Sequence, residues 1–85
     1  MATMPQVVDV EGYRVMVYTR DEHPPAHVHV AKNASTIRVL LHADSVEYDS
    51  YDGASPKAPE RKRAVEIVAE HFDPCWTMWR KYHEH

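Results

Sequence analysis

The stretch His27-Val28-His29-Val30-Ala31-Lys32-Asn33-Ala34-Ser35-Thr36-Ile37-Arg38-Val39-Leu40-Leu41 decides the fold. Two runs alternate with period two on either side of a polar turn at 33–35, the pattern of two half-buried strands. The first run sets Val28 and Val30 on one face and His27 and His29 on the other. The second sets Ile37, Val39 and Leu41 against Arg38 and Leu40. If the apolar faces share one core, Val30 pairs with Ile37 and Val28 with Val39. His29 then lies opposite Arg38, and His27 opposite Leu40. A slip of one residue would set valines against Arg38, so burial specifies the register.

Working outward, residues 6–10 carry Val7, Val8 and Val10, and 13–18 alternates Tyr13, Val15 and Val17 with Arg14, Met16 and Tyr18. Glu11-Gly12 between them predicts a hairpin, although Glu-Gly is a weaker turn signal than Asn-Gly. A further short strand is expected at 46–51. Gly53, Pro56 and Pro59 mark 52–59 as a linker within the domain. From about residue 60 the period changes. Val65, Val68, Phe72, Cys75 or Trp76, Trp79 and Tyr82 form a stripe at helical spacing. Asp73-Pro74 interrupts it with a capping residue and a proline suited to a first helical turn. The expectation is one helix to about His71 and a second from Pro74, or a single helix kinked there.

The predicted fold class is therefore α+β, in one domain. A four- to five-stranded antiparallel meander has one face covered by a C-terminal helix that is kinked or split near Pro74. The tryptophans read as core, since a single-layer sheet needs bulky apolar cover. The opposite sheet face carries Arg14, Met16, Tyr18, His27, His29, Arg38 and Leu40, a mixture that suits either solvent or an interface.

Eighty-five residues allow one modest core. With 44% hydrophobic and 27% charged residues, the composition is that of an ordinary globular domain rather than a disordered chain. No apolar run approaches the roughly 20 residues of a membrane helix, and no signal-peptide pattern opens the chain. The single cysteine, Cys75, excludes an internal disulfide, and the cytoplasm is the default compartment. A net charge of −3 argues against a large nucleic-acid footprint. Seven histidines would reverse that sign if all were protonated, so charge depends strongly on pH near 6 to 7. His83 and His85 read as residues of a frayed terminus.

Three of those histidines fall within the segment Asp21-Glu22-His23-Pro24-Pro25-Ala26-His27-Val28-His29. The prolines fix φ and stiffen the link from His23 to the strand pair His27 and His29, whose side chains share a face. His23, His27 and His29 are thus a candidate three-nitrogen set for a divalent transition metal such as Zn or Ni. Asp21, Glu22 or Asp44 could orient an imidazole. The same histidines could serve as general base and acid at a phosphodiester, with Arg38 opposing the phosphate charge. The plainer reading makes them hydrogen-bonding or interface residues. No carboxylate pair, nucleophile elbow or phosphate loop accompanies them.

Lys57, Arg61, Lys62 and Arg63 lie at the start of the expected helix, where cations oppose the macrodipole. They are candidate binding residues for an acidic partner or for nucleic-acid phosphate, against the simpler reading of a solvated face compensated by Glu60 and Glu66. Asp44, Glu47, Asp49 and Asp52 read as a solvated hairpin edge, with contact to a basic partner as the alternative. Cys75 beside Trp76 reads as helix packing.

The acidic-His-Pro-Pro segment followed by His27-Val28-His29, together with a tryptophan-bearing C-terminal helix, resembles the domain of unknown function 4160 family over Gly12 to about Trp79. Ala26 departs from its commoner pattern, which has proline directly before the middle histidine. The resemblance implies a small prokaryotic protein without a settled activity, whose gene neighbours encode a second small protein in a toxin–antitoxin-like arrangement. The expected function is accordingly a binding or regulatory module with a small protein partner or as a homo-oligomer. A metal- or histidine-dependent, ribonuclease-like enzyme is the alternative.

Overall fold

In the computed structural model, residues 5–19 and 24–83 are described. Five strands, β1 (Gln6–Val10), β2 (Tyr13–Met16), β3 (His27–Lys32), β4 (Ser35–Leu41) and β5 (Val46–Gly53), precede two helices, α1 (Ala58–Glu70) and α2 (Phe72–His83). The strands form one antiparallel sheet in the order β1-β2-β3-β4-β5, a meander whose edges are β1 and β5. The class is α+β, as the period change predicts.

The β3–β4 register is the one that burial demands. Val30 pairs with Ile37, Val28 with Val39, His29 with Arg38 and His27 with Leu40. Val15, Val17, Val28, Val30, Ile37 and Val39 have no exposure at all. Both helices cover that face, α1 against β4 and β5, α2 against β1 and β3. Ala64, Ile67, Val68, Cys75 and Trp79 complete the core. Ala64 and fully buried Ile67 belong to the apolar stripe although the sequence reading passed over them. Val65, Phe72, Trp76 and Tyr82 only flank the core, half-buried.

Turn chemistry closes the hairpins. Glu11 and Gly12 take φ of 56° and 80°, the doubly positive pair of a two-residue hairpin turn. Glu11 tolerates this because its backbone oxygen accepts from Lys32 Nζ at 3.0 Å and its carboxylate is held by Arg63. Gly53 ends β5 with φ 80°, where a Cβ would run into the Ala34 carbonyl. Strand β5 is thus two residues longer than the sequence reading gives, and 52–53 belong to the sheet rather than to the linker.

The helix break falls at His71, two residues before Asp73. His71 leaves helical geometry at φ −118° and ψ 33°. Its backbone N–H and Nδ1 both donate to the Ile67 carbonyl, which satisfies the end of α1. Helix α2 restarts with Cys75 N–H donating to His71 O, and Pro74 sits in its first turn, where no N–H is required. No helix among the described residues is long and apolar enough to cross a membrane.

Candidate functional site

His27 opens β3, and its ring lies where the sheet ends and α2 passes over. Its Nδ1 is 2.9 Å from the Pro25 carbonyl. A carbonyl only accepts, so this nitrogen carries the proton and the tautomer is set. The His27 and His29 rings meet edge to face at a centroid separation of 5.1 Å. Tyr18 stacks on His29 at 3.8 Å, with the rings 5° from parallel. On the other side Trp79 lies 4.9 Å from His27, and His83 lies 4.2 Å from Trp79. His83 Nε2 donates to the Tyr18 backbone oxygen at 2.6 Å, which joins the ends of the series. Five rings from β3, α2 and the segment after β2 thus form one closed cluster.

Burial corrects two sequence expectations. His27 and His29 are only 3% and 6% exposed, so the face that carries them is neither solvated nor wholly left for another chain at this end. Met16, paired with His29 across the strands, is also buried. The reason is the rings themselves: Tyr18 covers one imidazole and Trp79 the other. His83 is likewise no frayed residue, since it fastens α2 to the chain after β2. Nothing in the helical period alone signals that contact, which spans 65 residues of sequence. His85 lies outside the described residues.

The metal expectation meets a partial donor set. Two imidazoles on one tetrahedral Zn, with Zn–N near 2.0–2.1 Å, would hold their centroids about 5 Å apart, which the His27–His29 spacing matches. The proton on His27 Nδ1 fixes the tautomer in which Nε2 carries the lone pair. His23, Asp21 and Glu22 lie outside the described residues, and among the described residues no group of three or more His, Cys, Asp or Glu is placed to hold a metal. Asp44 sits exposed in the β4–β5 turn.

The basic residues separate into different roles. Arg63 is committed to structure: it grips the Glu11 carboxylate at 2.7 and 3.1 Å and reaches Glu70 at 3.1 Å and Glu66 at 3.4 Å. The side-chain hydrogen bond from Arg63, with its charge, holds the Glu11 carboxyl below its ordinary value, and the carboxylates raise Arg63. Arg61 lies over the Tyr48 ring at 5.0 Å. Lys57 caps α1, and its backbone N–H donates to Glu60 at 3.0 Å. Glu60 thus meets the backbone of Lys57 and Glu66 meets Arg63, while Lys57, Arg61 and Lys62 remain exposed. Arg38, opposite His29, has its Nη1 3.7 Å from Asp49. Cys75 is buried, and burial pushes its thiol up to about 12, which rules out an activated nucleophile.

A different surface lies at the far edge of the sheet. Among the described residues strand β5 pairs with β4 alone, and exposure rises along it until each of 49–53 is exposed. Pairing sets Val46, Tyr48 and Tyr51 on the helix side, beside Leu41, Val39 and Ile37. Glu47 and Asp52, opposite Leu40 and Thr36, take the other side. Asp49 is the extra residue of a bulge and joins them, as its contact with Arg38 requires. Between β5 and α1 an open groove of about 380 Å³ is lined by Val46, Tyr48, Val65, Arg61 and Lys62 among others.

No curated protein and no solved structure matches the chain. The family model for the domain of unknown function 4160 matches residues 12–80, which span β2 to Arg80 in α2 and both buried histidines, and the chain belongs to that family.

Proposed function

We propose that this protein is a non-catalytic binding module that works with a second small protein in a toxin–antitoxin-like pair. The observation that carries the reading is the burial of His27 and His29 inside a ring cluster. A general base must reach the proton it removes, within hydrogen-bond distance of a bound substrate. Here the two imidazoles are packed against Tyr18, Trp79 and each other, which is the surrounding of residues that fix a fold. The polar surface that remains accessible is of another kind: an acidic sheet edge, and the exposed Lys57, Arg61 and Lys62 at the start of α1.

Co-expression with the product of the adjacent gene, followed by light scattering on the eluted complex, tests this. A heterocomplex of defined stoichiometry that retains His27→Ala as a competent partner is the expected result. Separate elution of the two chains, together with hydrolysis of RNA that His27→Ala abolishes, would overturn it.

The alternative is a metal- or histidine-dependent enzyme acting on phosphodiesters. The 5.1 Å spacing of the two imidazoles favours it, with Zn or Ni as the metal. Calorimetry of metal-free, untagged protein with Zn²⁺ distinguishes it: one equivalent bound, weakening below pH about 6.5 and lost in both His27→Ala and His29→Ala, supports this second reading.

A further inference from the structure

We infer that the outer edge of β5 is a docking strand that takes an extended segment of a partner protein as a sixth strand, with Lys or Arg alternating with apolar residues. The inference rests on the reading of the chain as a binding module and names the surface that binds. Three observations carry it.

The edge is long and open. Seven of the eight residues of β5 pair with β4, Asp49 being the bulged one. Among the described residues no other strand lies beyond them, so the outer side presents a row of backbone donors and acceptors that another strand can use.

The side chains of β5 are sorted by side. Val46, Tyr48 and Tyr51 form a row toward the helices, and Tyr51, 43% exposed, is the one large hydrophobic side chain left exposed among the described residues. A strand added about 4.8 Å beyond β5 would continue that row. Its alternate side chains would enter the groove whose apolar lining is Val46, Tyr48 and Val65, beside Arg61 and Lys62. Apolar residues fit there, where they extend the existing core outward.

The opposite row is acidic. Glu47, Asp49 and Asp52 would flank the other side chains of the added strand. Glu47 meets His42 at 2.9 Å and Asp49 meets Arg38 at 3.7 Å, but both contacts lie at the surface and three carboxylates face one arginine, so the row stays acidic. Cross-strand pairs of opposite charge stabilise and like pairs destabilise. A basic segment is therefore selected. A second copy of this chain is disfavoured, because antiparallel β5–β5 pairing would bring two acidic rows together.

The test uses the intact ¹⁵N-labelled chain and two synthetic peptides of seven residues, one alternating Lys and Val, the other Glu and Val. The Lys–Val peptide should shift the amide signals of β5 and slow their hydrogen exchange, with the signals of β1 unchanged and the Glu–Val peptide inert. Charge reversal with Glu47→Lys and Asp52→Lys should weaken the Lys–Val peptide about tenfold or more and admit the Glu–Val peptide. Circular dichroism confirms that the variant is folded. Binding of the Lys–Val peptide at β1, or no peptide binding at all, overturns the inference. So does concentration-dependent protection of β5 without peptide, which would put a second copy there. A heterocomplex with the adjacent gene product that leaves the β5 amides unperturbed sinks the docking strand alone and spares the two-protein reading. Peptide binding at β5 without any heterocomplex keeps the docking strand and removes the pair.

Discussion

The two ends of the sheet use polar residues in opposite ways. At the end where β3 begins, His27 and His29 are buried and closed in by Tyr18, Trp79 and His83. At the β5 edge, Glu47, Asp49 and Asp52 are exposed and pair only with groups that are themselves at the surface. In the sequence the histidine segment looks like the functional one and the acidic run looks like solvent cover. The structure gives the histidines a packing role and leaves the acidic strand as the larger accessible feature. Residue type alone does not mark a site; what covers it does.

The sharpest way to break this contrast is Trp79→Ala. Trp79 is 3% exposed and touches both His27 and His83, so its loss should cost about 3–5 kcal/mol in urea unfolding. A variant as stable as the parent would mean that the ring cluster does not hold α2 to the sheet. A smaller effect is expected from His83→Ala. It removes one hydrogen bond and one ring contact at the last turn of α2, worth about 1–2 kcal/mol. Hydrogen exchange should then quicken in α2 and not in α1. Equal acceleration in both helices would show that His83 does not act locally.

A third test concerns the clamp between α1 and the β1–β2 turn. Arg63 holds the Glu11 carboxyl below its ordinary 4.5 in the folded state. With the folded value depressed, the contribution of this contact is complete above the unfolded value. It fades as pH falls below about 4.5 and through the folded value. Carbon-detected NMR titration should place the Glu11 midpoint below 4.5, and Arg63→Gln should return it toward that figure. The Glu11 side chain is exposed and Arg63 half-buried, so solvent screens the pair and 0.5 M salt should shrink the shift. An unmoved midpoint in Arg63→Gln would assign the shift to the turn backbone instead. The smallest effect belongs to Tyr51→Ala, expected to change stability by no more than about 0.5 kcal/mol, because Tyr51 is 43% exposed. A large loss would turn the β5 edge into a packing element and erase the contrast.

How far the sequence reaches follows from how local each cause is. Period-two alternation in 27–41 and the need to bury valines on one face determine the β3–β4 register, residue for residue. Glu11-Gly12 marks the first hairpin, and the change of period near residue 60 marks the helices. The extension of β5 to Gly53 was not legible, because Asp52 and Gly53 have poor strand propensity and pair only because β4 is there to receive them. The end of the first helix at about His71 was legible, but the restart at Phe72 rather than Pro74 was not, because hydrogen bonds from His71 to Ile67 and Val68 close the turn there, whereas Asp73-Pro74 is the stronger sequence signal.

The histidines divide along the same line. Their spacing by itself determined that His27 and His29 share a strand and a side, since side-chain direction is a backbone property. Only the tertiary structure decided that Tyr18 and Trp79 bury them and that His83 closes the cluster. The contacts that α2 makes, Trp79 with His27 and His83 with Tyr18, span up to 65 positions, and no pattern within a strand or a helix encodes which ring will arrive from so far along the chain.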